Sequence, residues 1–464
     1  MNPVIVLVGH PNVGKSTLFN RLTRGRDALV ADTPGLTRDR QYGEGRRGDK
    51  PYLLVDTGGV VEALDRVNQT DATIEAAMRD QTRQAIDEAD AVIFLVDAQL
   101  GVTPADEDLA RYLRRTAKPV TIAVNKAEGM DPPTVTADFH RLGLNRLYAI
   151  SAKRGDGINA LLLDLLSEFP AEETSVVDND IPRVAVAGRP NVGKSTLINS
   201  MLGEKRVVVF DEPGTTRDSI RIPLERKGRS YILIDTAGVR RKRSVHEVIE
   251  KFSVIKTLQA IEEANVVVLM LDADQGLSEQ DASLAGYILE KGRSLVVVVN
   301  KSDKVDQQKR QWLERELDRR FAFITFVRPH FISALHGNGV VTLFKMIDRA
   351  FASACKDMST SLLNRVLQKA VQATQPPMVK GRRIKLKFAH QGGRNPPLII
   401  IHGNQVDHLP DSYRRYLESA FRKAFRLEGT PVKIECRVGA NPFAGKTSKK
   451  SARYRSKRSR RPGR

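Results

Sequence analysis

Along the first 355 positions, short apolar runs rich in β-branched residues alternate with longer stretches in which apolar side chains return at helical spacing. Residues 4–8, 52–55, 91–96, 120–124, 231–234, 266–271 and 295–299 form such runs. Continuous apolar runs of this length suit strands covered on both faces, and their alternation with helices predicts parallel, doubly wound sheets with right-handed crossovers. From residue 356 the pattern changes. Leu362, Leu363, Val366, Leu367, Ala370 and Val371 fall at helical spacing over residues 361–372, and residues 411–426 repeat an amphipathic pattern with Asp411 placed to cap it. Strands are expected at 384–388, 398–401 and 432–436, which gives the order α-β-β-α-β for a small α+β domain.

The α/β region is internally repeated. The run Gly9-His10-Pro11-Asn12-Val13-Gly14-Lys15-Ser16-Thr17 returns as Gly188-Arg189-Pro190-Asn191-Val192-Gly193-Lys194-Ser195-Thr196, an offset of 179 residues. Thr37 and the Asp56-x-x-Gly59 group return at the same offset as Thr216 and Asp235-x-x-Gly238. Asp97 and Asn125-Lys126 return as Asp272 and Asn300-Lys301 at an offset of 175, and Ser151-Ala152 returns as Ser333-Ala334. We therefore expect two copies of one domain, residues 1–170 and 181–355, joined by a linker at 171–180 that holds four acidic residues. The small domain at 356–445 and a tail at 446–464 follow. At about 150 residues per domain, a chain of 464 has room for three such cores.

With 41% hydrophobic and 28% charged residues, the chain is not mainly disordered or fibrous. Two cysteines, Cys355 and Cys436, cannot build a disulfide framework or a four-thiolate zinc site, which suits the cytoplasm. No apolar run approaches the roughly 18 residues of a membrane helix, and the short apolar start leads into a phosphate-loop pattern rather than a cleavage site. Neither export nor membrane insertion is expected. The net charge of +20 is unevenly placed: residues 1–355 hold 49 basic and 49 acidic side chains, residues 356–464 hold 26 and 6. Ten of the last 19 residues are Lys or Arg and none is acidic, so this tail is expected to be disordered when free.

A glycine-rich turn followed by Lys-Ser, between a strand and a helix, aims backbone N–H groups at a common anion and so suits nucleotide phosphates. Lys15 and Lys194 are expected to reach the β and γ phosphates, and the Ser16 and Ser195 hydroxyls to ligate magnesium. One such match could be a plain glycine turn; two matching copies in the same setting are far rarer. Asp56 and Asp235 end apolar runs beside the loops, where a carboxylate holds magnesium, usually through water. Gly59 and Gly238 would let the backbone approach the γ phosphate. Thr37 and Thr216 lie in polar, proline-bearing loops that could order around the metal and so switch. Asp303 of Asn300-Lys301-x-Asp303 can accept from guanine N1–H and the 2-amino group, donors that adenine does not offer in that arrangement. The first copy has Glu128 there, which moves the carboxylate by about 1.5 Å and leaves guanine selectivity less secure. Ser151, Ala152 and Lys153 in one copy and Ser333 and Ala334 in the other would close on the base.

Phosphate loop, switch threonine, Asp-x-x-Gly, Asn-Lys-x-Asp and Ser-Ala, twice in this order, resemble the Ras-related, translational-GTPase-like class of switches. Two Era-like domains followed by a basic module are similar to the Der (EngA) family of bacterial GTPases along essentially the whole chain. The resemblance implies P-loop GTPase folds, GTP hydrolysis with magnesium, a closing KH-like domain, and a role in late assembly of the large (50S) ribosomal subunit. It gives GTP, GDP, ribosomal RNA and the large subunit as partners. After Asp-x-x-Gly, where Ras-like enzymes carry a water-positioning glutamine, this chain has Val60 and Val239, so intrinsic turnover should be slow, with room for an activating protein. Related Era-like enzymes with this substitution use potassium held by the phosphate-loop asparagine. Asn12 and Asn191 match it, with turn capping as the alternative.

A conventional KH domain grips RNA with a Gly-x-x-Gly loop between helices. None lies there; Gly392-Gly393 falls between strands, so that mode is not carried over. The excess of basic charge favours phosphate, and the tail suits salt-dependent, sequence-tolerant RNA binding. A solubility tail or an anionic membrane are the other readings, although no apolar face accompanies the charge. Residues 240–243, a second basic run directly after Asp235-x-x-Gly238, could be hidden or exposed by nucleotide. A nucleotide-sensing RNA scaffold with incidental turnover, or a membrane-associated GTPase, are the alternative functions.

Overall fold

The computed structural model describes residues 2–23, 41–48, 50–57, 82–169, 181–203, 221–234, 254–324, 326–379 and 382–438. In the first repeat, β1 (Val4–Gly9) leads through the glycine-rich turn into α1 (Lys15–Thr23), then the hairpin β2 (Gln41–Arg47) and β3 (Lys50–Asp56). There follow β4 (Ala91–Asp97), α2 (Pro104–Leu113), β5 (Val120–Asn125), α3 (Pro132–Ala137), β6 (Arg146–Ala149) and α4 (Ile158–Ser167). The sheet order is β2-β3-β1-β4-β5-β6, with only β2 antiparallel to its neighbour. Side chains of a strand alternate in direction, so a run apolar at every position must feed a core on each face. β4 does so: Val92, Phe94 and Val96 enter one cluster, Ala91, Ile93 and Leu95 the other. Each large side chain removed from water in this way contributes about 1.5–3 kcal/mol.

The second repeat follows the same plan with β7 (Arg183–Ala187), α5 (Lys194–Leu202), β8 (Arg221–Arg226), β9 (Arg229–Ile234), α6 (Val254–Glu263), β10 (Val266–Asp272), α7 (Glu279–Glu290), β11 (Ser294–Asn300), α8 (Gln307–Arg320), β12 (His330–Phe331) and α9 (Val340–Ala354). Its order, β8-β9-β7-β10-β11-β12, reproduces the first, again with one antiparallel edge strand. α6 serves both repeats: Val254, Ile255 and Leu258 lie in a core cluster of the first, Ala260 and Ile261 in one of the second. Two compact units result, Met1–Asp348 and Arg349–Arg464.

The second unit holds α10 (Thr360–Ala373), a short hairpin β13 (Met378–Val379) and β14 (Arg382–Arg383), β15 (Lys385–Gly393), β16 (Leu398–Asn404), α11 (Asp411–Phe425) and β17 (Lys433–Val438). β16 pairs antiparallel with β15 and parallel with β17, and Leu363, Leu367, Ala389, Ile401, Leu417 and Phe421 close the core. Two tyrosines of α11 tie it to the end of α10: Tyr413 donates to Thr374 O at 2.6 Å and Tyr416 to Ala370 O at 2.9 Å. One expectation is corrected. Asp411 does not cap α11 but is its first residue; Pro410 occupies the cap position, with no side-chain cap bond. Proline holds the extended backbone there (φ −62°, ψ 148°), and the Asp411 carboxylate still meets the positive end of the helix dipole. The hairpin β13–β14 was not foreseen, and β15 runs on past residue 388 to Gly393. The linker at 171–180 and the tail at 446–464 lie outside the described residues.

Candidate functional site

Each phosphate loop leaves a central strand, β1 or β7, at the strand end where ligands gather in open parallel sheets. Lys15 Nζ donates to Gly9 O at 2.9 Å and His10 O at 2.7 Å; Lys194 Nζ donates to Gly188 O at 3.1 Å and Arg189 O at 2.7 Å. Both ammonium groups are thus folded over their own loops. Burial pushes the Lys15 ammonium below its ordinary pKa, and the Asp56 carboxylate opposes this. Asp56, at the end of β3, has no solvent exposure and accepts from Ser16 Oγ at 2.9 Å. Asn12 and Asn191 take left-handed backbone, φ 66° and 62°, in the turn.

On the far side, Asn125 and Asn300 join the loop to the next motif. Asn125 Nδ2 donates to Val13 O at 2.7 Å and its Oδ1 accepts from Ala152 N at 2.8 Å. Asn300 makes the same pair of bonds, to Val192 O at 2.8 Å and from Ala334 N at 2.9 Å. Lys126 and Lys301 each reach the preceding strand-end aspartate, Asp97 or Asp272, at 2.5 Å. Glu128 accepts from Ser151 Oγ at 2.6 Å, which holds its carboxyl below the usual range; Ser333 does the same to Asp303. Glutamate in one copy and aspartate in the other therefore face the equivalent serine of their own repeat. Pro11, Thr17, Lys153, Pro190, Ser195 and Thr196 fall in the same loops or first helical turns.

A family profile described as "50S ribosome-binding GTPase" matches residues 4–126 and again 183–301. Another, "KH-domain-like of EngA bacterial GTPase enzymes, C-terminal", matches residues 358–437. GTPase Der of Halorhodospira halophila is 56% identical over 458 residues, covering 98% of this chain and 96% of that protein. The chain belongs to the GTPase Der family. GTPase Der of Azoarcus sp. is 56% identical over 447 residues, covering 96% of this chain and all of that one, and GTPase Der of Hahella chejuensis is 54% identical over 461 residues, covering 99% and 96%. As a Der-family enzyme the chain binds GTP and GDP and hydrolyses GTP, with two P-loop GTPase folds in tandem and a KH-like domain.

GTPases of this kind use magnesium. The adjacent hydroxyl of Ser16 and buried carboxylate of Asp56 form a hard oxygen pair that fits such a cation. Thr37, Gly59 and Val60 in the first repeat, and Thr216, Asp235, Gly238, Val239 and residues 240–243 in the second, lie outside the described residues. Among the described residues, no helix is long and apolar enough to cross a membrane.

The Der-family loops also have an anchor that the sequence reading did not single out. Asp106 and Asp281 complete capping boxes with Thr103 and Ser278 at the starts of α2 and α7. Arg189 Nε meets Asp281 Oδ1 at 3.1 Å and the same guanidinium donates to Gly276 O at 2.6 Å; His10 Nε2 lies 3.7 Å from Asp106 Oδ1. Burial raises the Asp281 carboxyl, and Ser278 and Arg189 oppose that rise. The signal was present, since Thr103-x-x-Asp106 returns as Ser278-x-x-Asp281 at the offset of 175 already seen for Asp97 and Asp272.

Proposed function

We propose that this Der-family GTPase is a two-site switch that acts in the cytoplasm on late assembly of the large ribosomal subunit, with nucleotide state controlling its docking on ribosomal RNA. The observation that carries the reading is the conjunction of two nucleotide sites built alike with a net charge of +20 placed wholly in residues 356–464. The description of the matching family as 50S ribosome-binding supports the choice of particle. In this reading the switch domains are residues 1–170 and 181–355, and the KH-like domain at 356–445 carries the tail at 446–464.

In each site the lysine, Lys15 or Lys194, leaves the loop carbonyls for the β and γ phosphates, which the backbone of residues 9–17 or 188–196 surrounds. Ser16, Thr37 and Asp56, or Ser195, Thr216 and Asp235, hold magnesium, which supplies charge neutralisation on the transferred phosphoryl group. Gly59 and Gly238 bring a backbone N–H to the γ phosphate. Asn125, Lys126 and Glu128 with Ser151, Ala152 and Lys153, and Asn300, Lys301 and Asp303 with Ser333 and Ala334, hold guanine. Val60 and Val239 cannot orient water, and Asn12 and Asn191 are assigned to a potassium ion that would supply positive charge at the phosphates in place of an arginine finger. Hydrolysis several-fold faster in potassium than in sodium, and loss of that difference at the second site in Asn191→Ala, is the expected result. Equal rates in both salts would remove potassium from the scheme.

The function is tested by sedimenting the full chain with ribosomal subunits at fixed moderate salt, with GDP or a non-hydrolysable GTP analogue. Co-sedimentation with the large subunit in the GTP-like state alone is expected. Binding that ignores nucleotide would leave a scaffold held by charge, and absence from both subunits would overturn the ribosomal reading.

A further inference from the structure

The outward face of the C-terminal sheet carries chemistry that neither nucleotide site uses. The register of β15 and β16 sets Ala389 opposite Ile401 and Phe388 opposite His402. Ala389 and Ile401 are buried in the core shared with α10 and α11, so Phe388, His390 and His402 stand on the opposite face. There the three rings lie together. His390 and His402 stack with centroids 5.1 Å apart and planes 16° from parallel; Phe388 stacks on His390 at 5.8 Å and 26°, and sits 6.3 Å from His402.

Phe388 keeps 44% of its surface exposed, and His390 Nδ1 is buried with no hydrogen-bond partner among the described residues. The surrounding charge is positive. Lys385 and Lys387 are exposed on the same strand, Arg437 on β17 lies opposite His402, and the acidic side chain Glu435 is paired with Arg437 at 2.7 Å. At the end of the face, Gly392 closes over Ile400: a Cβ there would lie 2.4 Å from Ile400 Cδ1. The face is thus kept flat beside the rings.

We propose that this face binds single-stranded RNA, with bases stacked on Phe388 and the two imidazoles and backbone phosphates held by Lys385, Lys387 and Arg437. Aromatic faces accept any base once it is unstacked, and a cationic border tracks the backbone; duplex RNA offers the phosphates but keeps its base faces covered. The site differs from a Gly-x-x-Gly grip, which would use a loop between helices. The inference rests on the ribosomal reading for the kind of partner and goes beyond it in naming where bases, rather than phosphates, are held.

The test measures fluorescence anisotropy of the full chain with a labelled 12-nucleotide RNA of mixed sequence, and with an abasic strand of equal length and charge. Phe388→Ala is expected to weaken binding of the base-bearing strand about tenfold, the loss of one base stack, and to leave the abasic strand unchanged. Phe388→Tyr, which keeps the ring, should bind as the unaltered chain does, and it controls for folding together with circular dichroism. Equal affinities of Phe388→Ala and the unaltered chain for the base-bearing strand would overturn the site while leaving ribosome binding intact. Failure of the unaltered chain to bind either strand would likewise overturn the site, while sedimentation with ribosomal subunits decides the ribosomal reading separately. A changed sedimentation coefficient of free Phe388→Ala would assign the face to contact between copies and likewise overturn the RNA site.

Discussion

At Gly193 an added methyl group would lie 2.4 Å from Asn300 Nδ2, on backbone at φ +101°. Asn300 is the side chain that ties the phosphate loop to the Ser333-Ala334 turn, through Val192 O and Ala334 N. Displacing it therefore loosens the phosphate side and the base side of one site together. Left-handed strain costs about 1–2 kcal/mol at a residue with a Cβ, and the two buried hydrogen bonds contribute about 1 kcal/mol each. Gly193→Ala should accordingly lower nucleotide affinity at the second site about 100-fold, near 3 kcal/mol. Titration with a fluorescent GDP analogue reads this when Lys15→Ala silences the first site. An unchanged affinity would mean that Asn300 moves aside and still makes both bonds. The first site repeats the arrangement, since a Cβ at Gly14 would lie 2.4 Å from Asn125 Nδ2, so Gly14→Ala in a Lys194→Ala background should behave alike.

At the scale of elements, the two repeats meet through β2, α6 and α7. Glu44 on β2 and Glu262 on α6 share the Lys291 ammonium, 2.8 Å from Glu262, while Tyr287 donates to Glu44 at 2.9 Å and Asn2 to Glu262 at 2.9 Å. Burial raises the Glu262 carboxyl; Lys291 opposes the rise and Glu44 adds to it. An acid raised in the folded state favours folding most when protonated, so its ionisation weakens the fold as pH climbs through the folded value. Lys291→Met would leave two facing carboxylates, which should cost about 3 kcal/mol at pH 7.5. The variant's Glu262 then takes up its proton at higher pH, so the gap to the unaltered chain should narrow at pH 5.5. Urea unfolding followed by circular dichroism at both pH values measures this, and an equal gap would reduce Lys291 to packing. None of this interface was legible in the sequence. The strands were, because runs such as 91–96 are apolar on both faces and only a covered strand accommodates that. Asn125 and Asn300 were legible as motif residues, but not as ties between loops, because a side chain's reach across 112 or 108 positions has no local signature. The residues of α6 divide between two cores, a division that a single stretch of sequence does not announce. Pro410 displaced the expected Asp411 cap because its backbone is extended without help from a side chain.

Across the whole molecule, charge and nucleotide chemistry are kept apart. Residues 1–355 balance 49 basic against 49 acidic side chains, and residues 356–464 carry the entire excess, half of it in the tail from Lys446 to Arg464. If the proposed RNA binding holds, a neutral switch joined to a cationic module separates two contributions to that affinity. The tail can release counterions from any polyanion, whereas the stacked face of the KH-like sheet requires accessible bases. These have different salt signatures. Each phosphate neutralised on a single strand adds about −0.7 to the slope of log affinity against log salt, so a tail that neutralises about five phosphates would, on removal, flatten it by about 3.5. Deletion of residues 446–464 should therefore reduce the slope by several units and weaken binding at low salt much more than at high salt. Phe388→Ala should leave the slope almost unaltered and lower affinity by the same factor at every salt concentration. Anisotropy titrations of the two variants between 50 and 300 mM potassium chloride, about the range over which counterion release is measured, separate the two. If removing the tail shifted affinity uniformly and left the slope in place, the phosphate-binding charges would have to lie on the folded sheet, and Lys385, Lys387 and Arg437 would become the residues to neutralise next.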